Sequence, residues 1–224
     1  MVEEIDVDFY IQKIYADSIF YMPPSFCVFY VVLFLIFAVK KTDNSPYFGF
    51  MDLEQLKYPI GQFSMPAIFD QKQVNIWISE IEALPSQIKK NTENLTDEEL
   101  NQTYRPGGWT LRQVVHHLPD SHINAYIRFK QAITEDIPTI RPYFEERWAE
   151  TQEAKNGDIK LSIDLLTGLH QRWVAFLKTL KIEDYQRRYN HPAQNKELTL
   201  ANMLGMYAWH GKHHLAHITN TITK

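Results

Sequence analysis

The chain has 224 residues, 45% of them hydrophobic, and a formal net charge of −4, which suits one globular domain with an appendage. Mild acidity without a basic stripe excludes nucleic acid as a partner. The single cysteine, Cys27, excludes a disulfide framework and a cysteine-based zinc site, so any metal must be held by histidine and carboxylate.

Residues 1–50 differ in character from the rest of the chain. Phe26 to Val39 is an unbroken apolar run, shorter than the roughly 17–25 residues that span a bilayer. Extending it back to Ile19 supplies the length but takes in Pro23, Pro24 and Ser25. Glu3, Glu4, Asp6 and Asp8 precede it, which does not fit the basic start of a secretory signal. Lys40 and Lys41 come directly after it; if residues 19–39 span a membrane, they place the domain beyond them in the cytoplasm. Two readings stand: a membrane anchor, or a non-native start ahead of Met51, with 51–224 as a self-sufficient domain.

Tyr58 to Phe63 reads as an extended lead-in. Gln71 to about Asn91 reads as a helix, with Val74, Trp77, Ile78, Ile81, Leu84 and Ile88 on its core stripe and a kink or break at Pro85. Thr96-Asp97-Glu98-Glu99 is a capping box opening a short helix. After the Tyr104–Trp109 turn, Thr110-Leu111-Arg112-Gln113 is a second capping box, opening a helix to about Glu135. Its stripe is Leu111, Val115, Leu118, His122, Ala125 and Phe129, with a bend expected at Pro119. A short helix is expected around Glu145–Lys155.

A third long helix is expected over Ile159–Leu180, on a stripe of Leu161, Leu165, Leu169, Trp173, Phe176 and Leu180. Asn190–Ala193 reads as a loop, and Thr199 as the N-cap of the last helix. Strand signals are nearly absent. Four long helical patterns predict an all-α four-helix bundle.

The last helix holds four of the nine histidines within His210–His217. His210/His214 and His213/His217 are both i, i+4 pairs, a spacing that brings two imidazoles to one metal ion. Spacing alone does not choose between them. A third ligand is sought among His116, His117, His122, His170 and His191. On a helical wheel His117 borders the flank of Val114 and Ser121, whereas His116 falls beside Arg112 and Asp120, which read as solvated. His122 points into the apolar stripe, as ligand or as core histidine. His170 and His191 read as structural or pocket-lining.

Tyr104-Arg105-Pro106-Gly107-Gly108-Trp109-Thr110, Arg112 to His117 and Asp120-Ser121-His122 together resemble the signature of the YfiT family, a branch of the DinB-like superfamily of metal-dependent enzymes. Thr139–Tyr143, His170–Trp173, His191-Pro192 and Tyr207–Ile218 match in the same order, so the resemblance covers about Tyr58 to Thr221. It implies a DinB-like four-helix bundle, a cytoplasmic homodimer and one zinc or nickel ion per subunit. The ligands it implies are His117, His210 and His214, with His213 and His217 as supporting groups. Residues 1–50 are not part of the family pattern.

The resemblance also implies a metal-dependent hydrolase acting on a small molecule. The rival chemistry is thiol transfer of the bacillithiol S-transferase kind, since a bound metal deprotonates thiols. A structural zinc would need a fourth protein ligand, such as His122. No His-Glu-x-x-His motif supplies a general base; Asp120, Glu145 and Glu146 are the carboxylates considered. Arg112, Arg141 and Arg172 are considered for an anionic substrate group. Acid is expected to release the metal near the ordinary histidine pKa of about 6.5.

Overall fold

The structure is a computed structural model and describes residues 53–222; the expectations for residues 1–50 lie outside it. Among the described residues, no helix is long and apolar enough to cross a membrane.

A single turn, α1 (Leu53–Lys57), precedes the first long helix, α2 (Gln71–Thr92). Asp70 caps α2, its side chain accepting from the Gln73 amide at 2.8 Å. The helix does not break at Pro85, which is buried inside it. Packing on both sides holds the turn, while the missing N–H leaves the Ile81 carbonyl without its helical donor. The short α3 (Asp97–Leu100) and the long α4 (Leu111–Thr134) both start at the expected capping boxes. The segment between α4 and the next long helix forms two short helices, α5 (Glu145–Ala149) and α6 (Gln152–Asn156), because Thr151 caps a fresh start.

The third long helix, α7 (Ile159–Leu177), stops short of Leu180 and is turned from the expected phase. Leu161 is 69% and Leu165 49% exposed, while Ile159, Ile163, Leu166, His170, Trp173, Val174 and Leu177 face the core. The helix carries apolar residues on more than one face, and its neighbours select the face that includes His170. A two-stranded antiparallel hairpin comes next, β1 (Arg188–His191) and β2 (Lys196–Thr199). Asn190 and His191 of the expected loop end β1, while Pro192 and Ala193 lie in the tight turn that joins the strands; neither short strand has the apolar alternation that would have announced it. Thr199 then caps α8 (Leu200–Ile222), its hydroxyl accepting from the Asn202 amide at 3.2 Å.

The long helices form a ring in the order α2, α7, α4, α8, so α2 lies diagonally opposite α4 and α7 opposite α8. Two apolar clusters fill the core. One joins the start of α2 and α8 to the ends of α4 and α7; the other joins the opposite ends. Hence α2 and α8 run one way and α4 and α7 the other. Because α4 and α7 are parallel, the segment carrying α5 and α6 must cross the length of the bundle. Gln113 ties it down by donating to the Ala149 carbonyl at 2.8 Å. Gly211 lets α8 approach α2: a Cβ there would stand 2.6 Å from a Leu84 methyl.

Candidate metal centre

Between the two apolar clusters the bundle interior is a layer of imidazoles. His117 and His122 come from α4, His170 from α7, and His210, His213, His214 and His217 from α8. All but His210 are buried. Two histidine sets could each hold an ion, His117/His210/His214 and His213/His214/His217, the ring nitrogens within each set lying within 4.8 Å of one another.

The hydrogen bonds assign the protons. His170 Nδ1 lies 2.6 Å from the Ile81 carbonyl oxygen, which can only accept, so this nitrogen carries hydrogen. Burial pushes the His170 pKa down to about 4, so the ring is neutral and its Nε2 is an acceptor. His122 Nδ1, 2.9 Å away, therefore donates to it. His122 is also neutral, held well below its ordinary pKa by burial, so its Nε2 accepts from His210 Nδ1 at 3.1 Å. The Nε2 of His210 is left with its lone pair. This relay crosses all four long helices and ends on the carbonyl that Pro85 sets free.

A shorter relay fixes His214. His217 Nε2 donates to the Lys57 carbonyl at 3.2 Å, at the open C-terminal end of α1. Its Nδ1 therefore accepts from His214 Nδ1 at 3.3 Å, leaving the lone pair of His214 on Nε2. A neutral His214 has one lone pair, so it serves one of the two sets at a time.

His117 Nε2 lies 3.2 Å from His210 Nε2. Metal–nitrogen bonds of about 2.0–2.1 Å at tetrahedral angles put ligand nitrogens about 3.3 Å apart. The donor set therefore fits a divalent ion: three imidazoles, two with tautomers already fixed, and the third ring at ligand spacing. Burial lowers the His117 pKa to about 3, with a contribution from His213, and holds His210 and His214 well below the ordinary value. Unprotonated imidazoles are what a metal requires.

The Tyr104–Trp109 turn covers this layer. Trp109 lies 4.7 Å from the His117 ring, and Tyr104 stacks on His217 at 3.9 Å. Gly107, at φ +67°, makes the reversal between them. Trp209 stacks on His213 at 4.5 Å.

Other expected residues land elsewhere. His116 is not beside a solvated flank: it is 2% exposed under the start of α7, its Nδ1 2.7 Å from Ser162 Oγ. Arg112 is buried too, donating to the Gly157 carbonyl at 2.9 Å and paired with Asp97. The cause is α6 and the turn after it, which close over that face. Arg172 lies over the Tyr126 ring and Arg141 is exposed.

Two cavities meet at the imidazole layer. One, of about 600 Å³, is walled by His117, His210, His213, His214 and His217. The other, of about 870 Å³, runs from His210 to Tyr207, Tyr143, Arg128 and His191. Glu145 and Glu146 of the crossover line both, and Asp120 lines neither. Sequence reading missed Arg128. Its signal was an arginine in phase with Ser121, Ala125 and Ala132 on the buried face of α4.

Residues 80–218 match the DinB superfamily. The chain belongs to that superfamily. A Bacillus cereus (strain B4264) protein named "Putative metal-dependent hydrolase" is 49% identical over 168 residues, 75% of this chain and 96% of that protein. A Bacillus thuringiensis subsp. konkukian (strain 97-27) relative with the same designation is 48% identical over the same shares. A solved structure, described as "YfiT from Bacillus subtilis is a probable metal-dependent hydrolase with an unusual four-helix bundle topology", matches with TM-score 0.74. It is 46% identical, over 75% of this chain and 97% of that one. This DinB-superfamily chain shares that four-helix bundle, and its parallel α4 and α7 are a departure from simple up-and-down order.

Proposed function

We propose that this chain is a metal-dependent hydrolase whose divalent ion, zinc or nickel, is held by His117, His210 and His214. The observation that carries this reading is the pair of relays. Each runs from an open backbone carbonyl, and together they leave lone pairs on the Nε2 atoms of His210 and His214. The relatives' names support it.

When bound, such an ion supplies Lewis acidity, enough to bring the pKa of water to about 7. His117, His210 and His214 would hold it through their ring nitrogens. Trp109 shields the outer edge of the His117 ring. Glu145 and Glu146 stand on the shared cavity wall, where a carboxylate can take a proton from the attacking water. Partial desolvation, with the neighbouring Glu146, raises the Glu145 pKa above the ordinary carboxylate value, in the direction a general base at neutral pH needs.

The test is metal content and hydrolysis by the full chain and four variants. His117→Ala, His210→Ala and His214→Ala are each expected to lose the metal, and His213→Ala to keep it. Metal lost in His213→Ala but kept in His117→Ala would move the site to the second histidine set. Activity against esters and amides without any thiol is expected; turnover only with a thiol and an electrophile would replace hydrolysis by S-transfer.

A further inference from the structure

Arg128 is 8% exposed, in the interior of α4, and forms no ion pair among the described residues. Its Nη2 donates to the Arg141 carbonyl at 2.9 Å and its Nη1 to the Tyr207 hydroxyl at 3.4 Å. Its Nε is buried with no hydrogen-bond partner. Taking an arginine out of water costs several kcal/mol unless an anion compensates it, and two neutral acceptors do not. Glu145 lies close enough to feel the charge but does not pair with it.

The guanidinium opens on the cavity of about 870 Å³ that reaches His210 at its other end. Tyr207, between them, connects the two: it accepts from Arg128, and its ring lies 5.6 Å from that of His210. His191 also lines this space, with Nδ1 buried and unpartnered. The cavity therefore has a positive charge with unused donor capacity at one end and the candidate metal centre at the other.

We propose that Arg128 anchors a carboxylate of the substrate. The substrate class is then a small organic acid whose scissile group reaches His210 while its carboxylate meets the guanidinium. Arg128 is a specificity-determining residue. The carboxylate replaces the missing counter-ion, accepting from the Nη hydrogens that the two neutral acceptors leave free. The proposal rests on the metal-centre reading for the identity of the reacting end, and on Arg128 alone for the charge it selects.

The experiment is calorimetric titration of the full chain, loaded with zinc, using acetate and succinate against acetamide and succinamide. Metal content is measured in every sample. Wild type is expected to prefer the carboxylates. Arg128→Gln is expected to lose about tenfold or more of that affinity, the loss of a charge-assisted hydrogen bond, and Arg128→Lys to lose less, with metal content unchanged in both. Equal affinity of wild type for acids and amides, no binding of either acid, or undiminished binding by a folded Arg128→Gln would each overturn the proposal. Should Arg128→Gln not fold, the wild-type preference and the weakening in Arg128→Lys decide it. Arg128-dependent binding in a protein that takes up no zinc would overturn the metal reading and leave the anchor standing. Full zinc with Arg128-independent binding would do the reverse.

Discussion

His170 Nδ1 lies 2.6 Å from the one carbonyl that Pro85 leaves without a helical donor, that of Ile81. A proline that costs α2 a hydrogen bond thus supplies the acceptor that orients a chain of three histidines. Replacing it separates the two roles. Pro85→Ala restores an N–H aimed at Ile81 and competes with His170. The expected result is little change in Tm, helix propensity gained against packing lost, and a fall of about tenfold in zinc affinity. Competition with a chromophoric chelator, beside a thermal melt, checks both.

His122→Phe and His217→Phe each remove the acceptor for a candidate ligand's Nδ1–H. Disruption of such outer partners costs about 10–100-fold in metal affinity. The two relays share no residue, so the double variant is expected to lose about the product of the single losses. Marked non-additivity in the chelator titration would show that they are one network.

The pH dependence comes from burial. In the folded chain His170 has its pKa lowered to about 4 and His117 to about 3, whereas the unfolded chain takes up protons near 6.5. Below about 6.5 the unfolded state therefore binds more protons. Stability is full above that pH and falls as pH drops toward 4, by about 1.4 kcal/mol per pH unit for each such proton. The same burial favours the unprotonated form of the candidate ligands His117, His210 and His214, so on the proposed reading metal release is expected below the ordinary histidine value of about 6.5. Zinc is expected to persist well below that value and to leave as the bundle unfolds. Bound metal and far-UV circular dichroism, monitored together from pH 7 to 4, are expected to fall together; loss of metal at 6.5 from an intact fold contradicts this.

Gly211→Ala puts a Cβ 2.6 Å from a Leu84 methyl, where α8 meets α2. Overpacking of this kind costs about 1–3 kcal/mol, read as a lower urea midpoint with unchanged slope. Next to His210, the shift is also expected to weaken zinc binding, unlike a substitution at exposed Gly168.

The local signals in the sequence were strong where chemistry within a few residues decides the outcome. The boxes at Thr96/Glu99 and Thr110/Gln113 place two helix starts, and the i, i+4 spacing of His210 and His214 survives into the fold. His117 comes to the same layer, its Nε2 3.2 Å from His210 Nε2. What was not legible depends on neighbours far along the chain. Leu161 and Leu165 keep helical spacing as well as Ile159 and Ile163 do, and only the packing of α7 between α2 and α4 chooses. His116 reads as solvated on its own helix because the α6 turn that covers it is a distant segment. The longer relay needed the contact of Pro85's turn with α7, which periodicity within either helix does not encode.

The long crossover forced by parallel α4 and α7 divides the site between two kinds of structure. The imidazoles belong to the helices and are fixed by core packing; Glu145 and Glu146 belong to a strap on the outside. On the proposed function, capture of an ion and choice of reaction are thereby written in separable parts of the chain. Grafting a different Pro138–Thr151 segment onto this bundle would exchange the reactivity while leaving the histidine layer intact.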